Sequence, residues 1–296
     1  MQSEIGFCVL EAFASVEEAL RSLLRASGQS IKKQNFSKHF LARPLRTREE
    51  ISLPITLVNA RQIAPLDEAR VRVLGEDADF LALHKPPGVA TQPLSYGDGP
   101  NLVSWLALHR PALLQVNREA QERGTLWRLD QETSGLVVCA KNQPSFEAIR
   151  SNFHHIVKRK IYLAIVSGEA KSHETLVHQL GPHGPRGSKM HQVPQGGALA
   201  ELTYHALARS GAHALVAVDL KQGVRHQIRA QLSLAGLPIL GDELYGGERS
   251  ERLFLHCWRY QFADREWQDD HAELFDGRFL DLHRLLQVFG DKLRGA

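Results

Sequence analysis

The chain has 296 residues, 43% of them hydrophobic and 23% charged, with a formal net charge of +3. These proportions exclude a disordered or collagen-like chain, and no apolar run is long enough to span a bilayer as a helix. The three cysteines, Cys8, Cys139 and Cys257, stand far apart and in no C-x-x-C pair, which argues against a disulfide framework or a thiolate zinc site and leaves them as buried apolar residues.

The N-terminus, MQSEIGFCVLEAFASVEEAL, lacks the basic start and cleavage site of a secretory signal, so the expectation is a cytoplasmic protein. Charge is unevenly spread. From Arg21 to Arg48 there are eight Lys and Arg and no Asp or Glu; from Lys158 to Arg229 ten bases face four acids; from Asp264 to Asp281 seven acids face two bases. A basic stretch is ordinarily a solvated face, and it also suits a polyanionic partner, because each phosphate neutralised releases condensed counterions. Composition changes near residue 70, where the turn-rich ARQIAPLDEAR gives way to VRVLGEDADFLALHKPPG. This divides a basic N-terminal extension, 1–70, from a main domain, 71–296.

Within the main domain Phe80 to Leu83 reads as a strand stopped by Lys85-Pro86-Pro87-Gly88, since consecutive prolines remove ladder donors and glycine permits a turn. Leu136 to Ala140 is a second strand. After it Asn142 can cap, and Pro144 open, a helix whose Phe146, Ile149, Phe153 and Ile156 recur at helical spacing. Tyr162 to Val166 and Leu215 to Leu220 are further strands, ended by Gly168 and by Gln222-Gly223, and Arg225 to Leu234 is a helix ending near Gly236. The acidic REWQDDHAELFDGRFLDLHRLLQVF has the apolar spacing of a terminal helix. Strands mixed irregularly with a few helices do not make the regular alternation of a parallel α/β fold. The fold class expected is α+β, with a mostly antiparallel mixed sheet and flanking helices.

The stretch RLDQETSGL runs directly into VVCA. A carboxylate beside a buried strand is costly, so Asp130 either lies at the strand's mouth in water, as a turn or capping residue before Thr133 and Ser134, or serves chemistry there. No G-x-x-x-x-G-K-S/T or G-x-G-x-x-G stretch and no H-E-x-x-H or other clear metal spacing occurs. Taken together, HKPPGVATQP, RLDQETSGLVVCAKN, KRKIYLAIVSG, GVRHQIRAQLSLAGLPILGDELYGG and RLFLHC resemble, in content and order, the RluA family of RNA pseudouridine synthases over about Val71 to Phe262.

That resemblance implies the pseudouridine synthase fold and the isomerisation of uridine in structured RNA, rRNA or tRNA, without a cofactor. It implies Asp130 as the catalytic carboxylate, acting on the base, on the sugar, or as an anion that stabilises a cationic sugar and then takes a proton. Arg229 is implied as its ion-pair partner, since a desolvated carboxylate needs a cation to stay ionised. Tyr162 is implied to stack on the uracil and to assist removal of the C5 proton, and Leu255 to pack on the other face. Arg128 and Thr133 would meet the entering flipped nucleotide; Lys85 would meet phosphate or else be a solvated turn lysine, and Arg225 would make a secondary phosphate or loop contact. His226 and Gln227 look structural.

The sequence departs from the family pattern in having Trp127 where histidine is usual, which would change stacking near the entrance, and Val224 where arginine is usual, the arginine following as Arg225. The N-terminal extension resembles only distantly an S4-like RNA-binding module. RNA is the expected partner, with no membrane and a monomeric chain. A noncatalytic RNA-binding or RNA-folding protein, and a nucleoside or glycoside hydrolase, are the competing readings.

Overall fold

A computed structural model of the chain describes residues 4–24, 26, 28–54, 57, 63–94, 98–118, 120–262, 265–270, 279 and 282–294. The chain divides into two compact units, Met1–Glu68 with Gln92–Arg123, and Ala69–Thr91 with Gly124–Ala296.

In the first unit β1 (Glu4–Cys8) pairs antiparallel with β2 (Glu50–Pro54), and α1 (Val16–Leu23), α2 (Gly28–Lys33) and α3 (Lys38–Ala42) lie between them in sequence. Ser15 caps α1 by accepting from the Glu18 amide at 3.1 Å, which satisfies one of the helix start's orphan donors, while the Glu18 carboxylate reaches back past the cap to accept from Ala14 N at 2.8 Å. Val9, Phe13, Leu20, Leu45 and Leu53 belong to this unit's own apolar core. The unit also contains α4 (Leu102–His109), capped by Asn101.

The second unit is built on a ten-stranded sheet. Its strands are β3 (Arg72–Glu76), β4 (Phe80–Lys85), β5 (Ser134–Ala140), β6 (Val157–Ser167), β7 (His173–His183), β8 (Lys189–Gln192), β9 (Ala198–Ser210), β10 (His213–Leu220), β11 (Leu255–Phe262) and β12 (Arg265–Gln268). The order is β3-β4-β5-β11-β6-β10-β9-β7-β8, with β12 paired to β11. The β5–β11 pair is parallel and the other described pairs are antiparallel, so the α+β, mostly antiparallel expectation holds. Gly135, with φ of +116°, permits the parallel contact: a side chain there would strike the Cys257 backbone.

The expected helix after Asn142 is two helices, α5 (Gln143–Ser151) and α6 (Phe153–Ile156), because Asn152 leaves helical geometry at φ −124° and ψ 25°. The helix expected from Arg225 starts later, as α7 (Gln227–Leu234), because His226 takes the left-handed conformation at φ 52°. The acidic stretch does not read as one helix. It begins as strand β12, which pairs antiparallel with β11, and α8 covers Leu282–Arg294. Residues 271–278, 280 and 281 of that stretch lie outside the described residues. Leu286 and Phe289 of α8 pack with Ile161, Leu163, Leu215 and Trp258 from the sheet, and each such burial contributes about 1.5–3 kcal/mol.

Trp127 does not stand at an entrance. It is buried, stacked on Tyr260 with ring centroids 3.7 Å apart, and its indole N–H donates to the Leu136 carbonyl at 3.3 Å.

Candidate active site

Asp130 sits in a turn ahead of β5, where Thr133 N donates to the Asp130 carbonyl at 3.1 Å. The turn is fastened to the segment after β4. Leu129 N donates to Thr91 Oγ1 at 3.1 Å, the Thr91 hydroxyl donates to the Leu129 carbonyl at 3.0 Å, and Gly88 N donates to the Gln131 carbonyl at 3.0 Å. The carboxylate is therefore at a strand's mouth, 29% exposed, on a backbone held from both sides.

Lys85 corrects an expectation. It is 0% exposed, and its ammonium donates to the carbonyls of Val89 (2.6 Å), Gln131 (2.9 Å) and Pro86 (3.1 Å). It is not a phosphate contact, because its three hydrogens are spent on the two loops that carry the site and no face of the amine reaches solvent. Burial draws its pKa down to about 7, against the opposing pull of Glu132 and Asp130.

Arg225 makes a loop contact. Its guanidinium donates to the carbonyls of Gly187 and of Lys189, the latter at 3.2 Å, and so braces the turn between β7 and β8. It is not among the residues around the cavity.

That cavity, of about 80 Å³, is bounded by Asp130, Arg128, Thr133, Tyr162, Leu255 and Arg229, together with His226 and the Leu220–Val224 end of β10 and its loop. The structure thus brings six of the eight expected residues round one space. Tyr162 on β6 and Leu255 on β11 come from neighbouring strands, with Tyr162 opposite Cys257 and Leu255 opposite Ala164 in the register. Burial, then the neighbouring Cys257 and Tyr260, holds the Tyr162 phenol well above its usual pKa, so it stays protonated at neutral pH. Arg128 is exposed at the rim and Thr133 is buried beneath it.

Arg229 does face Asp130, Nη1 to Oδ2 at 3.4 Å, but its principal partner is one the sequence reading missed. Asp242, 1% exposed, accepts from Arg229 Nε at 2.7 Å and from Nη2 at 2.8 Å, a two-pronged pair. Tyr245 lies under the guanidinium, 5.1 Å from its ring centroid. Burial lowers the Arg229 pKa, and Asp242 followed by Asp130 more than reverses this, so the cation is held firmly charged. Both missed residues belong to GDELYGG, a stretch that stood out only as part of a motif. Gly241 in it, φ +83°, lies so close to the Arg252 backbone that no side chain fits.

His226 was read as structural, yet its Nε2 is 3.8 Å from Asp130 Oδ2. Gln227 fits the structural reading: its amide donates to the Glu201 carbonyl at 3.0 Å and accepts from Val224 N at 3.1 Å, fixing the cavity's rim. Lys160 serves the same rim, donating to the Gln222 carbonyl at 2.7 Å. Among the described residues no group of three or more His, Cys, Asp or Glu is placed to hold a metal ion, and no helix is long and apolar enough to cross a membrane.

Chemically, the arrangement offers one partly exposed carboxylate beside a fixed cation, with an aromatic ring and a leucine bounding a small cavity. Residues 79–234 match the family model described as RNA pseudouridylate synthase. The chain is similar to the ribosomal large subunit pseudouridine synthase D of Borreliella burgdorferi, 30% identical over 248 residues that cover 80% of this chain and 76% of that protein. Its similarity to the Pseudomonas aeruginosa protein of the same name is 33% over 180 residues, 61% of this chain and 55% of that one. Among solved structures, human RNA pseudouridylate synthase domain containing 1 superposes with a TM-score of 0.60 at 21% identity, over 74% of this chain and 94% of that one, which is a likeness of fold.

Proposed function

The chain belongs to the RNA pseudouridylate synthase family, and on that premise we propose that it isomerises uridine in structured RNA to pseudouridine, with Asp130 as the catalytic carboxylate. The observation that carries the assignment of Asp130 is its position on the cavity wall with Arg229 beside it and Tyr162 and Leu255 lining the same space. The names of the relatives make ribosomal RNA of the large subunit the substrate of this reading.

The reaction balances within the nucleotide. The bond from uracil N1 to the sugar C1′ breaks, the base turns, C5 bonds to C1′, the C5 proton leaves and N1 gains one. Asp130 supplies the carboxylate this needs, and Arg229 sets an opposite charge beside it, Nη1 to Oδ2 at 3.4 Å. The Tyr162 ring and Leu255 sandwich the base. Its phenol, held protonated, serves better as a face than as a proton acceptor, which lowers the weight of the proton-removal role expected from the sequence. Arg128 and Thr133 meet the flipped nucleotide, whose unstacking costs a few kcal/mol. The basic N-terminal extension, 1–70, completes the reading as a degenerate S4-like module facing RNA, ahead of a catalytic domain over 71–296.

The test is incubation of the purified protein with RNA tritiated at uracil C5. Release of tritium without free uracil is the expected result. A hydrolase would release the base and a binder neither. Asp130→Asn should release no tritium while keeping RNA affinity within about three-fold, since the amide preserves shape and not charge. Retained turnover in Asp130→Asn would remove Asp130 from its role.

A further inference from the structure

The geometry points to a positioning device behind Asp130: a chain from Met190 N through the Tyr245 hydroxyl to His226, which presents a neutral Nε2–H to Oδ2 of Asp130 and so leaves Oδ1 as the oxygen offered to the substrate. This rests on the reading of Asp130 as the catalytic carboxylate and goes beyond it.

The chain of donors follows from the contacts. Met190 N donates to the Tyr245 hydroxyl at 2.7 Å, so that oxygen is already an acceptor. The Tyr245 hydroxyl lies 3.0 Å from His226 Nδ1, and we assign its hydrogen to that nitrogen, with the hydroxyl as donor and Nδ1 as acceptor. A neutral imidazole whose Nδ1 accepts carries its hydrogen on Nε2. Nε2 faces Asp130 Oδ2 at 3.8 Å, on the same oxygen that Arg229 Nη1 meets at 3.4 Å. Among the described residues Oδ1 has no side-chain partner.

The backbone supports the placement. His226 holds a left-handed conformation at φ 52° directly before α7, and this turns the ring back toward the Asp130 loop. Tyr245 serves the site twice, because its ring also lies beneath the Arg229 guanidinium.

The groups facing the His226 ring are Asp130 from the loop before β5, Arg229 of α7, Arg225 beside it, and Asp242 and Tyr245 from the GDELYGG turn. Burial pushes the imidazole pKa down, as do Arg229 and Arg225, while Asp130 and Asp242 oppose this. The ring is thus neutral at neutral pH, and its tautomer is the variable that Tyr245 sets. A neutral donor orients Asp130 without adding a second full positive charge, which would weaken the carboxylate as a nucleophile or base.

The experiment uses the full chain and RNA tritiated at uracil C5, with kcat, KM and single-turnover rates followed between about pH 5.5 and 8.5. Tyr245→Phe keeps the ring and removes the hydroxyl. It should lower kcat roughly 10- to 100-fold, the size seen when the partner that orients an imidazole is lost, with KM within about two-fold. The acidic limb of its profile should move to higher pH, because losing the donor to Nδ1 favours the protonated ring. His226→Gln, whose amide N–H can still face Oδ2, should lose less than His226→Ala and show no such limb. On the His226→Gln background Tyr245→Phe should cost nothing further.

Unchanged kcat and pH profile in Tyr245→Phe, or an equal loss from Tyr245→Phe with and without His226, would overturn the device. Asp130→Asn, measured alongside, separates the two levels. If it retains turnover, the reading of Asp130 fails; if it is inactive while Tyr245→Phe is normal, only the positioning chain fails.

Discussion

Asp242 is the residue whose replacement tests the electrostatics of the site most directly. Its carboxylate is 1% exposed and takes two of the Arg229 donors at 2.7 and 2.8 Å, whereas Asp130, the more exposed acid, takes one at 3.4 Å. Asp242→Asn removes the charge and keeps the shape. Breaking a buried pair from one side costs about 3–5 kcal/mol, because the remaining charge is left uncompensated. Here the amide oxygen can still accept one bond and Asp130 remains nearby, so the lower end, about 3 kcal/mol, applies. At roughly 2–4 °C per kcal/mol for a domain of this size, the melting temperature should fall by about 6–12 °C.

Replacing both partners, Arg229→Met with Asp242→Leu, should restore most of that stability, since an apolar pair avoids the desolvation of two ions. It should remain inactive in the C5-tritium assay, because Asp130 then has no cation. Scanning calorimetry read beside tritium release checks both halves. A melting point within about 2 °C of wild type in Asp242→Asn would refute the claim that Arg229 depends on Asp242. An active Arg229→Met/Asp242→Leu protein would refute the claim that Asp130 needs the guanidinium.

Lys85→Met should destabilise by about 2–5 kcal/mol, because three carbonyls lose their donor at once, and it should lower turnover by loosening the Gln131 carbonyl next to Asp130; a stable, fully active variant in urea titration and tritium release would contradict this. Stability should also fall on acidification through His256, which is fully buried with its pKa lowered from 6.5 to about 4. The sign is set by the unfolded chain binding the proton more readily: the contribution is complete above pH 6.5 and is lost as pH falls to about 4, amounting to about 3 kcal/mol, so His256→Gln should flatten the stability curve across that window. Tyr162→Phe should keep RNA affinity and much of the turnover with no C5-deuterium effect, since the ring is retained and the phenol is protonated, whereas Tyr162→Leu should lose far more; a stalled final step in Tyr162→Phe by single-turnover kinetics would restore the proton-transfer role.

Local chemistry alone was enough to mark several features of this chain. The Asn142 cap with Pro144 behind it, the buried run of β5 and the lack of regular strand–helix alternation are properties of short windows, where spacing and turn residues act over a few positions. The turn that carries Asp130 was legible for the same reason, and the order of the motifs tied it to Tyr162 and Arg229. What the windows could not contain was the choice of partner. A lysine before Pro-Pro-Gly reads as solvated, yet Lys85 is enclosed because the Pro86–Val89 loop and the Gln131 turn, 46 residues on, close over it.

Arg229 could have been satisfied by any nearby acid, and the acid that takes two of its donors is Asp242, which the tight Gly241 turn brings under it. His226 reads as a helix-start residue until its left-handed backbone turns the ring toward a carboxylate almost a hundred positions earlier in the chain. In each case the deciding quantity is desolvation. A charge in water needs no particular neighbour, while a charge removed from water is tolerable only beside one specific group, and that group is chosen by the packing of distant segments rather than by the sequence around it.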